Sequence, residues 1–150
     1  MKLISYLVIG LGIALPGGVF AQNPSPPAQL PSITLPPALD RVLRDYERHW
    51  GAGNADSLAA LFVADGFVLQ PGRPPVRGLV GIAGAYRGNR GGPLALRAFA
   101  FATADTVGYI IGGFAMSPGE PDAGKFILAL RRSPGGPWKI AADMDNGNRR

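Results

Sequence analysis

Residues 94–145 read LALRAFAFATADTVGYIIGGFAMSPGEPDAGKFILALRRSPGGPWKIAADMD. Runs rich in apolar, β-branched and aromatic residues alternate here with punctuation that regular structure does not tolerate. Leu94 to Thr103 and Thr106 to Met116 flank Ala104-Asp105. Gly119 to Asp122 is a second break. Lys125 to Arg132 and Trp138 to Asp145 flank Ser133-Pro134-Gly135-Gly136. Short runs of this kind, bounded by Gly, Pro and Asp, read as strands joined by tight turns. The stretch predicts an antiparallel meander of four strands. Gly108, Gly112 and Gly113 inside the second run predict bends or bulges that curve the sheet.

Upstream of the meander the period changes. Pro36-Pro37 suits a first helical turn, whose N–H groups lack partners anyway. Leu39, Val42, Leu43, Tyr46 and Trp50 then recur at spacings of three and four, opposite Asp40, Arg41, Arg44, Asp45, Glu47 and Arg48. That is one apolar helical stripe. Gly51-Ala52-Gly53 ends it, and Asn54 is a suitable N-cap for a second helix carrying Leu58, Leu61 and Phe62. Asp65-Gly66 predicts a turn, Phe67 to Leu69 a short strand, and Pro75 to Gly78 a second extended piece. Residues 79–87 predict a third helix with Ile82, Ala85 and Tyr86 inward. Helices first and an antiparallel meander after imply an α+β fold, with three N-terminal helices packed on one face of a curved, mostly antiparallel β-sheet.

The first 35 residues belong to neither pattern. Lys2 precedes an apolar run from Leu3 to Leu15, Pro16-Gly17-Gly18 breaks it, and Val19-Phe20-Ala21 fits a signal-peptidase site. This is the three-part secretory pattern, with cleavage expected after Ala21. The run is shorter than the roughly 20 apolar residues of a spanning helix, so no stable membrane anchor is expected after cleavage. Residues 22–35 carry four prolines and read as an extended spacer. The expected organisation is therefore a signal peptide at 1–21, a Pro-rich linker at 22–35 and one domain at 36–147, in a periplasmic or secreted protein.

Composition removes several classes of function. The chain has 150 residues and no cysteine, which excludes disulfides, thiol nucleophiles and thiolate metal sites. His49 is the single histidine, so neither a conventional transition-metal site nor a Ser-His-acid triad is expected. The net charge of +5 is scattered, without a basic stripe interleaved with aromatics, so nucleic acid is not an expected partner. No glycine-rich phosphate loop stands between a strand and a helix, and no cofactor is expected.

Three motifs in order carry a resemblance. Trp50-Gly-Ala-Gly-Asn54 is followed by Leu58-Ala-Ala-Leu-Phe62 and Ala64-Asp65. Leu69-Gln-Pro-Gly-Arg-Pro-Pro-Val-Arg-Gly78 is followed by Ile82. Gly135-Gly-Pro-Trp-Lys-Ile140 is followed by Asp143 and Asn146. With the order α-α-β-β-α-β-β-β-β, these resemble the nuclear transport factor 2-like superfamily, in particular its SnoaL-like branch, over roughly residues 38–147. The resemblance implies a cone-shaped fold with a small-molecule pocket. Its members include ketosteroid isomerases, cyclases, dehydratases and non-catalytic binding or assembly domains, so the fold does not select among them.

A ketosteroid isomerase needs a carboxylate base near the end of the first strand, a tyrosine donor and a protonated carboxylic acid. By the resemblance Tyr46 falls at the tyrosine, counted back from Ala52-Gly53-Asn54. The base position falls on Gln70, which cannot accept a proton at neutral pH. The acid position falls near Ile127 to Ala129, where there is no carboxylate. Ketosteroid isomerase chemistry is therefore not expected, and a carboxylate within hydrogen-bond reach of Tyr46 is what would restore proton transfer.

The pocket candidates each carry an alternative. Tyr46 and Tyr86 are pocket hydroxyls or core tyrosines. Trp50 is a pocket wall or packing at the wide end. Gln70 is a neutral pocket group or a strand-end residue holding the turn at Pro71-Gly72. Lys125, which shares a face with Ile127 and Ala129, reaches the pocket rim or is a solvated strand-end charge. On the last strand, period two places Trp138, Ile140, Ala142, Met144 and Asn146 together and Asp143 with Asp145 on the opposite face. By resemblance the first set faces the cavity, which makes Ala142, Met144 and Asn146 candidates and leaves both aspartates outside. The functional expectation is an exported small-molecule-binding domain with an apolar pocket for an apolar or carbonyl-bearing ligand. The alternatives are an isomerase, dehydratase or cyclase using Tyr46, Gln70 and Asn146, and an assembly module. A homodimer through the outer face of the sheet is expected.

Overall fold

Leu39, Val42, Leu43 and Tyr46 are buried along one side of α1 (Pro37–Gly51), the first helix of the computed structural model. The structure describes residues 29–148, so the expected signal peptide and the start of the Pro-rich leader lie outside the described residues. After a tight turn, α2 (Ala55–Ala60) begins at Asn54, whose side chain accepts from the Ser57 N–H at 2.9 Å. Such a cap is worth about 1 kcal/mol. The remaining elements are β1 (Phe62–Leu69), β2 (Val76–Arg77), α3 (Leu79–Tyr86), β3 (Ala95–Ala104), β4 (Val107–Ala115), β5 (Gly124–Arg131) and β6 (Lys139–Gly147). They form one six-stranded sheet in the order β2-β1-β6-β5-β4-β3, antiparallel except for the β1–β6 pair. This is the α+β architecture expected, and each meander strand falls within a residue or two of its predicted bounds.

The core is continuous. Leu39, Leu43, Leu58, Phe62, Ile82, Ile110, Leu128 and Ile140 are almost wholly removed from water and join the helices to one face of the sheet. Each such side chain contributes about 1.5–3 kcal/mol by leaving water.

Local departures from expectation have physical reasons. Asp65-Gly66 is not a turn between elements but an irregular part of β1. Phe62 pairs with Ile140 and Phe67 with Ala142, so residues 63–66 bow out of register. Gly112 and Gly113 are not themselves bulged, because β4 pairs with β5 in unbroken register from Val107 to Phe114. The extra residue nearby is Phe99, on β3. Gly112 leaves space for the Phe126 ring, which a Cβ there would strike. The leader is not a free spacer to its end. The Ile33 N–H donates to Ala98 O at 2.9 Å, Leu35 is buried in the core, and Arg97 donates to Leu30 O.

One irregularity decides the site. Leu130 pairs with Ile140, but Ala129 pairs with Ala142, so Ala141 is an extra residue on β6. An extra residue shifts the alternation of every side chain beyond it to the other face. Ile140 faces the core, and after the bulge Asp143 does too. Ala142, Met144 and Asn146 turn to the opposite face, where Met144 is 54% exposed while Asp143 is 5% exposed. The sequence expectation for these residues is thereby reversed.

Candidate functional site

Three elements converge on a cavity of about 690 Å³. The inner stripe of α1 delivers Tyr46 and Trp50. Tyr86, the last residue of α3, comes in from the side. The β6 bulge delivers Asp143 from the sheet. The Tyr46 hydroxyl donates to Asp143 Oδ2 at 2.9 Å, the Tyr86 hydroxyl donates to the same oxygen at 3.1 Å, and the two hydroxyls lie 2.9 Å apart. The rings hold one another. Tyr46 stacks on Trp50 at 6.5 Å between centroids, and Tyr86 stands edge-on to both.

The electrostatics follow from burial. Loss of water pushes the Asp143 carboxyl up to about 6, and the neighbouring Asp145 adds to this, while hydrogen bonds from both tyrosines pull the other way. Burial and the charge of Asp143 hold Tyr46 and Tyr86 well above the ordinary phenol range, so both stay protonated donors at neutral pH. Asp143 Oδ2 takes both phenols. Oδ1 has no hydrogen-bond partner among the described residues, and no buried side-chain oxygen is left unsatisfied, so Oδ1 opens onto the cavity that Asp143 lines. A carboxyl poised between its two states, with one oxygen anchored and the other open, is equipped to take up and return a proton.

The remaining walls are apolar: Leu94, Leu96, Phe114, Met116, Phe126 and Leu128. Gln70, Asn89, Arg73 and Asp145 add polarity. Burial also raises the Asp145 carboxyl above its ordinary value.

The cavity brings together four of the residues proposed from sequence, Tyr46, Trp50, Gln70 and Tyr86. The other four lie elsewhere. Ala142, Met144 and Asn146 are on the far face because of the bulge at Ala141. Lys125 is exposed on that same face, with its ammonium donating to Gly147 O and Asn148 Oδ1 at 3.4 and 3.2 Å. Period two put Lys125 with Ile127 correctly, but the inward residues of β5 are Phe126 and Leu128. Sequence reasoning missed Asp143 itself. The acid position expected near Ile127 to Ala129 is filled by Leu128, and Asp143 is its cross-strand partner, one strand over. The available signal was Ala141-Ala142, a small-residue pair able to accommodate a bulge. His49 is half-buried on α1. Among the described residues no group of three or more His, Cys, Asp or Glu comes together as metal ligands, and no helix is long and apolar enough to cross a membrane.

No family model and no curated protein matches the chain. Solved structures do. A ketosteroid isomerase-like protein from Erwinia carotovora atroseptica superposes with a TM-score of 0.62 at 17% identity, over 75% of this chain and 95% of that one. A provisionally assigned scytalone dehydratase from Novosphingobium aromaticivorans gives 0.63 at 19% identity, over 75% and 83%. An NTF2-like protein of unknown function from Shewanella oneidensis gives 0.60 at 16% identity, over 72% and 95%. At these identities the likeness is one of fold: the chain has the nuclear transport factor 2-like fold.

Proposed function

We propose that the cavity is a proton-transfer site for a small, largely apolar molecule bearing a carbonyl or hydroxyl group. This is an activity of the isomerase, dehydratase or cyclase type, in a protein exported through its N-terminal signal. The observation that carries the reading is the Asp143 carboxyl, with Oδ2 tied to two phenols and Oδ1 open to the cavity. Gln70 cannot act as the base, and Asp143 supplies the missing group from another strand. A C–H bond next to a carbonyl breaks, its proton goes to Asp143, and the electron pair moves to the carbonyl oxygen. Protonated Asp143 is a weaker acceptor, so a phenol turns its O–H toward the developing oxyanion. Return of the proton to a different atom completes an isomerisation. Fold likeness to a ketosteroid isomerase-like protein and to a provisionally assigned dehydratase supports the reading.

The test is deuterium incorporation. Small cyclic ketones and β-hydroxy ketones are incubated with the protein in D₂O near neutrality, and loss of the α-proton signal is followed by NMR. The wild-type protein is expected to accelerate exchange for at least one compound, and Asp143→Asn to slow it by about 100-fold or more. Equal rates in the two proteins would sink the proposal.

A second reading concerns assembly and does not compete with the first. On the face away from the helices, Ile111, Ile127 and Met144 are direct cross-strand partners, and Tyr109, Ala129 and Ala142 form the next row. Val107, Tyr109, Ile111, Ile127 and Met144 are all exposed. A contiguous apolar face of this kind suits a second copy of the chain.

A further inference from the structure

The charge around the cavity mouth points to the class of ligand. Of the arginines among the described residues, Arg41, Arg44, Arg48, Arg77, Arg97 and Arg131 are in ion pairs. Arg132 donates to Asp105 O and lies over the Trp138 ring. Arg73, Arg87 and Arg90 have no ion-pair or side-chain hydrogen-bond partner among the described residues. One of them, Arg73, is in the cavity wall, and the other two are exposed neighbours of cavity-lining residues in the chain. Arg73 lines the cavity from the β1–β2 loop, and Arg87 and Arg90 flank Gly88 and Asn89, which line it from the α3–β3 connection.

The Arg73 mount is stiff. Pro71, Pro74 and Pro75 restrict the loop, and the Arg73 N–H closes a turn onto Gln70 O at 3.2 Å. Uncompensated cations on the rim of an apolar cleft focus their field into it and draw anions from solvent. Inside the rim, Leu94, Leu96, Phe114, Phe126 and Leu128 offer nothing to a charge and much to a hydrocarbon. Asp145, two residues beyond Asp143 on β6, also lines the cavity and opposes an anion near it, so the anion belongs with Arg73 on the β1–β2 loop.

We propose that the ligand is an amphipathic carboxylic acid, its apolar body in the cavity and its carboxylate at the mouth beside Arg73, with Arg87 and Arg90 adding positive charge from the neighbouring α3–β3 connection. The inference rests on the small-molecule reading of the cavity but not on proton transfer by Asp143. A carboxylate so placed leaves the body of the ligand, with any carbonyl or hydroxyl it carries, directed toward Asp143 and the two tyrosines.

The test compares 4-phenylbutanoate with its uncharged isostere 4-phenylbutanamide by isothermal titration calorimetry at pH 7.5. At low salt the carboxylate is expected to bind about tenfold more tightly than the amide, and 0.2 M salt is expected to shrink that advantage. The triple variant Arg73→Gln, Arg87→Gln, Arg90→Gln is expected to bind both probes equally while keeping the wild-type affinity for the amide, which also shows that its cavity is intact. Asp143→Asn is expected to keep the advantage. Equal affinities in the wild-type protein, or an advantage that survives the triple variant, would overturn the inference and leave proton transfer standing. Binding of neither probe at millimolar concentration would overturn it together with the small-molecule reading. Loss of Asp143-dependent exchange with the carboxylate preference intact would overturn proton transfer alone.

Discussion

On the face of the sheet that meets α1 and α3, Ile110, Leu128 and Ile140 are removed from water and the Asp143 carboxyl lies among them. On the opposite face of the same strands, Ile111, Ile127 and Met144 stand side by side and remain exposed. Both faces arise from alternation along β4, β5 and β6, reset on β6 by the bulge, yet their chemistry differs. The enclosed face holds a buried carboxyl, and the open face carries an apolar row flanked by the Lys125–Asn146 pair. A buried carboxyl is costly unless it is hydrogen-bonded. Tyr46 and Tyr86 supply those bonds to one oxygen, and the residual desolvation leaves the group ready to change protonation state near pH 6. The open face needs no such arrangement, since each exposed side chain is tolerated singly and the row as a whole suits a partner surface.

The register beyond the bulge at Ala141 assigns residues 142–147 to their faces, so shifting it by one residue is the harshest test of this contrast. Insertion of one alanine between Ala142 and Asp143 would set Asp143 opposite Ile127 and Met144 opposite Phe126, sending the carboxyl outward and pressing Met144 into the core. We expect loss of more than about 4 kcal/mol of stability, read as collapse of the cooperative thermal transition. An insertion variant with wild-type melting and wild-type exchange activity would show that this register does not set the faces.

A smaller effect separates the carboxyl from its surroundings. Below about pH 4 Asp143 is neutral in folded and unfolded chains alike, and its stabilising preference for the proton is fully present. As pH rises through about 6, the folded protein gives up a proton that the unfolded chain has already released, and that contribution is lost. For this one group the loss amounts to about 3 kcal/mol at most. Asp143→Asn lacks the titration, so its stability relative to the wild type should rise by up to that amount between pH 4 and pH 7 in urea unfolding. A difference that stays flat with pH would mean that the buried carboxyl carries no such penalty.

The smallest effect on stability is expected on the open face. Ile127→Lys should change unfolding free energy by no more than about 0.5 kcal/mol, because the side chain already touches water. It should convert a dimer to a monomer in sedimentation at micromolar concentration and leave deuterium exchange unaltered. A wild-type protein that is monomeric at that concentration would remove the assembly reading.

Most of the architecture is legible in the order of residues alone. The Leu39–Val42–Leu43–Tyr46 spacing locates α1 and its buried side, Asn54 marks the cap of α2, and turn residues delimit the four meander strands. These signals are local, because a helical stripe and a Gly-Pro break act within a few residues of themselves. The site is legible by halves. Tyr46, Trp50, Gln70 and Tyr86 reach the cavity from helices and a strand end, where short-range periodicity is a sound guide. Asp143, Ala142, Met144 and Asn146 lie beyond a bulge, and alternation counted from Trp138 carries no record of an extra residue at Ala141.

What the sequence by itself determined is the order and kind of the elements, the apolar content of the cavity walls and the absence of a base at Gln70. These follow from residue type and from periods of two and 3.6. Only the tertiary structure decided that Asp143 supplies the carboxyl, that two phenols from different helices meet it, and that Arg73 lines the same cavity. The reason is physical: strand register is fixed by pairing with neighbours, and Ala141 is displaced because β5 offers no residue between Leu130 and Ala129 to face it.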